Sequence, residues 1–334
     1  MRSLIRWFSS LVSILVLVSI LVLCLAQSAG AAETFTRQDI TFKSAGLTLV
    51  GWLYLPDGLK AGEKRPAIVM AHGWSAVKEM YLDAFAAKFA NGGFVVTVFD
   101  YRNFGDSEGE PRSHIDPHMQ HEDYKNAITW TMRQPMVDPE RIGLWGSSYS
   151  GAHVIHLAAF DRRVKCAVAQ VPLVNAMDNF RRLVRADQFP ATQAWLAADR
   201  MEQYTTGKIN YLPVVAPQGQ PAALPTQDSY DWFIQTGQTR APKWKNEQTV
   251  RSLELALEYN PAASIHLISP TPLMMIVAQN DGLTPTDLAI EAFGRAREPK
   301  QLMIIPGGHF DAYVAGFETA STPALNWFKQ HLMK

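Results

Sequence analysis

The 334-residue chain has only two cysteines, Cys24 and Cys166, and no run of basic residues. Cysteine that sparse excludes a disulfide scaffold. In Val164-Lys165-Cys166-Ala167-Val168-Ala169, Cys166 reads as a buried small hydrophobe without a partner. Net charge is lacking as well, with 31 Lys and Arg balanced by 31 Asp and Glu. That leaves no electrostatic footprint for nucleic acid or for an anionic membrane surface. Internal repeats and low-complexity tracts are absent, which excludes a disordered or collagen-like chain. What the chain does have is 47% hydrophobic residues, enough for a sizeable core in one large domain or two ordinary ones.

Part of that apolar content is concentrated at the start. Arg2 and Arg6 precede an apolar run from Leu11 to Ala26, and small residues follow it, with Ala29 and Ala31 forming an A-x-A site. Positive, apolar, then small is the order of a secretory signal peptide, so residues 1–31 are expected to be removed and the body exported, periplasmic or secreted. The alternative is a membrane anchor, because residues 7–26 reach the roughly 20 that cross a bilayer. Leu23 before Cys24 argues against lipoprotein processing, which takes a small residue there.

Beyond the leader, Phe35 to Leu55 reads as a hairpin broken at Ser44-Ala45-Gly46 and closed at Pro56-Asp57-Gly58. Short apolar strands then alternate with helices. Strands are expected at 67–71, 94–99, 141–145, 164–171, 273–278 and 301–305, and helices at 80–91, 120–134, 150–160, 284–296 and 320–331. Continuously apolar short strands separated by helices predict an α/β protein with a mostly parallel sheet covered on both faces. The alternation stops at Pro172 and resumes near Pro272. Residues 173–270, without a strong strand and rich in Trp, Tyr, Arg and Gln, read as a mainly helical cap inserted into a core of residues 32–172 and 271–334. Pro213, Pro217, Pro221 and Pro225 mark a structured loop through its middle.

The strongest chemical signal is Leu144-Trp145-Gly146-Ser147-Ser148-Tyr149-Ser150-Gly151, where an apolar strand meets a helix. A serine on that sharp turn exposes its oxygen above the sheet. Ser148 is the expected nucleophile because Gly146 stands two residues before it; Ser150 takes the second flanking place, where glycine is more usual. A serine needs a base, and the base a third group to fix its tautomer. His309, in Pro306-Gly307-Gly308-His309 after the last apolar strand, is the expected base. Asp281, directly after the strand 273–278, is the expected acid, completing the order serine, acid, histidine. Asp287 is set aside as part of a helix cap with Thr284 and Pro285, and Asp311 as too near His309 to orient it. The backbone N–H groups of Tyr149 and Trp74 are the expected oxyanion donors, and His72 is expected to hold the Trp74 loop. His114, His118 and His121, with Asp116 and Glu122, fit no tight zinc spacing, and His153 and His156 read as packing residues.

Taken together, His72-Gly73-Trp74, Asp100 to Gly109, the Ser148 turn, Asp281 and Gly307-Gly308-His309 resemble the α/β-hydrolase superfamily in its order, over nearly all of the chain after the leader. Val77-Lys78-Glu79-Met80-Tyr81 and Trp244-Lys245-Asn246-Glu247 are similar to a subgroup of X-prolyl dipeptidyl-peptidase-like hydrolases and fungal polyketide transferases. The resemblance implies an α/β-hydrolase fold and a serine acyl-enzyme mechanism, with no metal and no organic cofactor.

These readings lead to an exported, esterase-like serine hydrolase acting on a small-molecule carboxylic ester or related acyl substrate. Trp195, Tyr204, Tyr211, Tyr230, Trp232 and Trp244 are the aromatics available to line its site. An acyltransferase or an X-Pro-type peptidase on the same three residues are the alternatives. The peptidase requires acidic residues to hold a free amino terminus, and no motif supplies them. A non-catalytic binding protein on the same fold is the alternative from another class, and the sequence leaves the oligomeric state open.

Overall fold

The computed structural model describes residues 35–333. The expected leader, cleavage site and anchor at 1–31 and 7–26 lie outside the described residues.

The apolar strands assemble into one eight-stranded sheet in the order β1-β2-β4-β3-β5-β6-β9-β10. At one edge, β1 (Phe35–Ser44) and β2 (Leu47–Pro56) form the expected hairpin, turning through Ala45 and Gly46, both at positive φ. β2 then pairs antiparallel with β4 (Val95–Phe99). From there the sheet is parallel, through β3 (Arg65–Ala71), β5 (Val137–Ser147), β6 (Val164–Gln170), β9 (Leu273–Ala278) and β10 (Lys300–Ile305). Every residue of β4 and β9 is buried, as unbroken apolar runs require when both faces are covered. Helices α1 (Leu82–Asn91) and α9 (Phe317–Leu332) pack against one face; α2 (Pro117–Met132), α3 (Tyr149–Phe160) and α8 (Thr286–Arg295) lie on the other. Cys166 is fully buried and unpaired in β6.

Several boundaries differ from expectation, two of them for evident local reasons. Helix α2 starts three residues earlier than the apolar periodicity indicates. Asp116 accepts the N–H groups of His118 (2.8 Å) and Met119 (3.4 Å), and Pro117 occupies the first helical position. Helix α8 starts at Thr286, after Pro285, so the expected capping arrangement of Thr284 with Asp287 does not form. Asp287 instead pairs with Arg182 at the surface, 2.6 Å away.

Between β6 and β9 the chain leaves the sheet and builds α4 (Ala176–Leu183), α5 (Phe189–Thr206), α6 (Gln227–Thr239) and α7 (Val250–Leu257). It also makes a two-stranded ribbon that sequence periodicity is too short to reveal, β7 (Tyr211–Leu212) with β8 (Gln248–Thr249). The proline-marked loop is ordered by hydrogen bonds. Leu224 N donates to Val214 O, and the Asn246 carboxamide bonds both the N–H and the C=O of Val215. The described residues cluster as one unit, so the insertion shares the core of the sheet domain. Among the described residues no helix is long and apolar enough to cross a membrane.

Candidate active site

The parallel strands end on the same edge of the sheet, and the loops leaving β3, β5, β9 and β10 gather the chemistry there. Ser148 stands between β5 and α3 at φ 59° and ψ −120°, backbone angles that side chains rarely adopt. The turn is clamped by Ser148 N donating to Gln170 O at 2.8 Å and by Ser148 O accepting from Ala152 and Leu173. Its tightness explains the glycines. A Cβ on Gly146 would stand 2.4 Å from Ser150 O, and one on Gly73 would stand 3.1 Å from Ser148 Cβ. The neighbouring serines are not available. Ser147 is buried, its Oγ receiving the Tyr313 hydroxyl at 2.6 Å and Gln170 Nε2 at 3.1 Å; Ser150 is buried with its Oγ 3.3 Å from Tyr101 Oη.

His309 opens a short 3₁₀ turn (His309–Tyr313) after β10, and its Nε2 is 3.0 Å from Ser148 Oγ. Its Nδ1 is 2.8 Å from Asp281 Oδ2. The carboxylate can only accept when ionised, so Nδ1 carries the proton and Nε2 is the acceptor facing the serine. Asp281 is fixed from behind by the N–H groups of Leu283 (2.9 Å) and Thr284 (2.7 Å). Asp311 braces the loop, accepting Gly308 N at 2.7 Å.

Thr284 is the residue that sequence reasoning misplaced. Its Oγ1 lies 3.0 Å from Asp281 Oδ2, 3.1 Å from His309 Nδ1 and 3.0 Å from Val171 O. The hydroxyl therefore sits in the hinge between the acid and the imidazole, and not at a helix cap. Its position three residues after an acid at a strand end was the available signal.

The N–H of Tyr149 is the first of helix α3, where no earlier carbonyl can accept it. Together with the N–H of Trp74, in the loop after β3, it has no acceptor among the described residues. His72 holds that loop as expected. Its Nδ1 donates to Gly73 O at 3.0 Å and its Nε2 accepts Tyr101 N, while burial pushes the imidazole down to about 4, keeping it neutral.

The cavity above Ser148 has two lobes that share Trp74, Ser148, Leu224 and Leu283. One, of about 20 Å³, is bounded by His309, Met80, Trp232, Phe233, Phe310 and Tyr313. The other, of about 90 Å³, is bounded by Tyr149, Leu173, Phe180, Leu183, Leu253 and Leu257. Of the six aromatics available to line the site, Trp232 does so. Trp195, Tyr204 and Tyr211 are exposed, Tyr230 packs against the core, and Trp244 lies behind the Trp74 loop. Leucines, which carry no motif, are six of the fifteen residues lining the larger lobe. A more spacious cavity, about 360 Å³, reaches neither Ser148 nor His309. Its charged groups are already engaged, Lys243 with Asp106 and Arg112 with backbone carbonyls.

Three of the other histidines, His121, His153 and His156, cluster beside Tyr259. His121 Nε2 and His153 Nδ1 both meet Tyr259 Oη, at 2.9 and 3.0 Å, His153 Nε2 meets Gln120, and His156 stacks on His121. His114 bonds Thr249 Oγ1. Among the described residues no three His, Cys, Asp or Glu side chains are placed to hold a metal ion.

Comparison with known proteins agrees with the fold. The sequence model of the X-Pro dipeptidyl-peptidase (S15) family matches residues 46–311. A thiohydrolase of Aspergillus aculeatus is 34% identical over 285 residues, covering 81% of this chain and 85% of that protein. A polyketide transferase of a Penicillium species is 32% identical over 304 residues, covering 90% of this chain and 99% of its own. The crystal structure of an α/β hydrolase from Penicillium sp. sh18 superposes with a TM-score of 0.76 at 30% identity, covering 90% of this chain and all of that one. The match over most of the chain, together with the sheet order, shows that the chain belongs to the X-Pro dipeptidyl-peptidase (S15) family and is an α/β hydrolase.

Proposed function

We propose that this α/β hydrolase cleaves apolar carboxylic esters and thioesters through an acyl-enzyme on Ser148. The observation that carries the proposal is the unbroken line Ser148 Oγ, His309 Nε2, His309 Nδ1, Asp281 Oδ2 opening into a two-lobed apolar cavity. Ser148 Oγ attacks the acyl carbon as His309 Nε2 takes its proton, and Asp281 stabilises the imidazolium. The oxyanion is received by the N–H groups of Trp74 and Tyr149, the second aided by the positive end of helix α3. His309 then returns the proton to the departing alcohol or thiol, and water, deprotonated by the same nitrogen, releases the acid.

The protonated imidazole must face the leaving group, so the lobe that His309 lines takes the alcohol or thiol and the leucine-lined lobe takes the acyl chain. Neither lobe is lined by an Asp or Glu that could pair with a free amino terminus, which favours esters and thioesters over X-Pro peptides. Transfer to an organic alcohol or amine in place of water is the second reading. It is supported by the aromatic enclosure of the leaving-group lobe and by the relative called a polyketide transferase.

The deciding experiment is a screen of purified protein against p-nitrophenyl esters and acyl thioesters of graded chain length and against aminoacyl-proline amides. Ser148→Ala is the control, and product ratios are followed as a competing alcohol is added. Ester or thioester turnover lost in Ser148→Ala is expected; turnover that survives the substitution would sink the mechanism. Export of the body after removal of residues 1–31 belongs to the same proposal. N-terminal sequencing of protein from the fractionated host tests it, an intact terminus in the membrane fraction favouring the 7–26 anchor.

A further inference from the structure

Past Gly73, whose carbonyl His72 holds, the loop that presents the Trp74 N–H has little bonding of its own. Within it there is one long turn bond, Ala76 N to Gly73 O at 3.4 Å, and Ser75 sits at φ 50°, a left-handed conformation that a side chain disfavours. Beyond Gly73, the hydrogen bonds that restrain the side chain of Trp74 and Ser75 come from the insertion. Gln248 Oε1 accepts both the Trp74 indole N–H and the Ser75 hydroxyl, and Trp244 Nε1 donates to Ser75 O at 2.8 Å. The orientation of the carboxamide is determined, because an indole N–H can only donate and must meet the oxygen.

Gln248 is itself rigidly placed. It is fully buried and lies in the ribbon strand β8, opposite Leu212. Its Nε2 is buried without a partner among the described residues, an unfavourable situation that a residue present only to fill space would not impose. The indole it grips also packs edge-on against the ring of Tyr149, 4.8 Å between centroids, so one contact steadies both residues that carry the oxyanion N–H groups. Trp244 is seated as tightly. A Cβ on Gly237 would come within 2.8 Å of its ring.

From this geometry we infer that Gln248 is a positioning residue for the oxyanion site: the insertion, besides roofing the cavity, sets the Trp74 donor through the Gln248 carboxamide oxygen. The inference rests on the acyl-enzyme reading of Ser148. It also gives Trp244 and Gln248 a role that the three-residue chemistry alone does not.

The test compares native protein with Gln248→Met, Gln248→Glu, Trp74→Phe and the Trp74→Phe/Gln248→Met double variant. The readouts are kcat and KM on a p-nitrophenyl ester and inhibition by an alkylboronic acid, whose tetrahedral adduct on serine puts an oxygen in the oxyanion site. Gln248→Met is expected to lower kcat about tenfold to a hundredfold with KM within about twofold of native, and to weaken the boronic acid in parallel. Gln248→Glu keeps an oxygen for both donors and is expected to return kcat to within about threefold of native. Trp74→Phe keeps the backbone N–H but loses the indole donor, so it should lose kcat to a similar degree, with the double variant no worse than the poorer single. If Gln248→Met does not fold, Trp74→Phe and Gln248→Glu carry the same comparison. A folded Gln248→Met with native kcat, multiplicative losses in the double variant, or a loss of kcat without loss of boronic acid affinity would overturn the inference. Activity surviving in Ser148→Ala is a different failure, which removes the acyl-enzyme reading beneath it.

Discussion

At the scale of single residues, the site stores strain at its proposed nucleophile. Ser148 at φ 59° occupies a region that glycine enters freely, so Ser148→Gly should raise stability by about 1 kcal/mol while abolishing turnover. Urea midpoints of the two proteins measure the first effect and ester hydrolysis the second; an unchanged midpoint would mean that the turn is not strained. Thr284 belongs to the same scale. Removing its hydroxyl in Thr284→Val takes a hydrogen bond from Asp281 and a contact from His309 Nδ1. The expected result is a kcat/KM lower by about tenfold, with a lower melting temperature because Val171 O also loses its donor. Ser148, His309 and Asp281 were legible in the sequence because each stands at the end of an apolar strand among small residues, a context that survives without coordinates. Thr284 was not. Its sequence neighbourhood, with Pro285 and Asp287, also suits a helix cap, and only the positions of β9 and β10 place its hydroxyl between Asp281 and His309.

At the scale of elements, the helices and loops of the insertion decide what the site admits. Leu253, on α7, bounds the leucine-lined lobe, and Leu253→Phe should shorten the preferred acyl chain by adding volume there. Trp232, on α6, closes the lobe beside His309, and Trp232→Ala should admit bulkier leaving groups. A matrix of acyl and alcohol chain lengths checks both, and the lobe assignment fails if the two substitutions exchange effects. The core strands could be read from the sequence because buried parallel strands must be short, apolar and separated by helices. The lining of the insertion could not. An exposed aromatic such as Tyr204 and a lining one such as Trp232 look alike in a sequence, and the leucines of the larger lobe look like any others. The ribbon β7–β8 escaped because two residues have no periodicity.

At the scale of the whole molecule, buried neutral histidines tie stability to pH. Burial drives His72 and His156 down to about 4, and moves His121 and His153 in the same direction with the neighbouring imidazoles adding to it. In the unfolded chain these groups titrate near 6.5. Between those values the unfolded chain binds protons that the folded one refuses, so stability is level above about pH 7 and falls as pH drops toward 4. His72 alone, fully buried, accounts for roughly 2 kcal/mol of loss from pH 7 to pH 5. Chemical denaturation at the two pH values is the check, and equal stabilities would show that the imidazoles are already accessible to protons in the folded state.

What the sequence determined by itself is what local pattern can carry. Strand and helix alternation sets a parallel sheet, glycines mark where backbones must approach, and a serine, an acid and a histidine at strand ends fall in one order. The tertiary structure alone decided which groups meet across the chain. It moved Thr284 from a helix cap to the side of His309, put six leucines in the wall of the larger lobe, and brought Gln248 onto a loop 173 residues earlier. The physical reason is the same in each case. Propensity and periodicity act between neighbours along the chain, whereas a hydrogen bond or a cavity wall depends on the packing of elements distant in sequence.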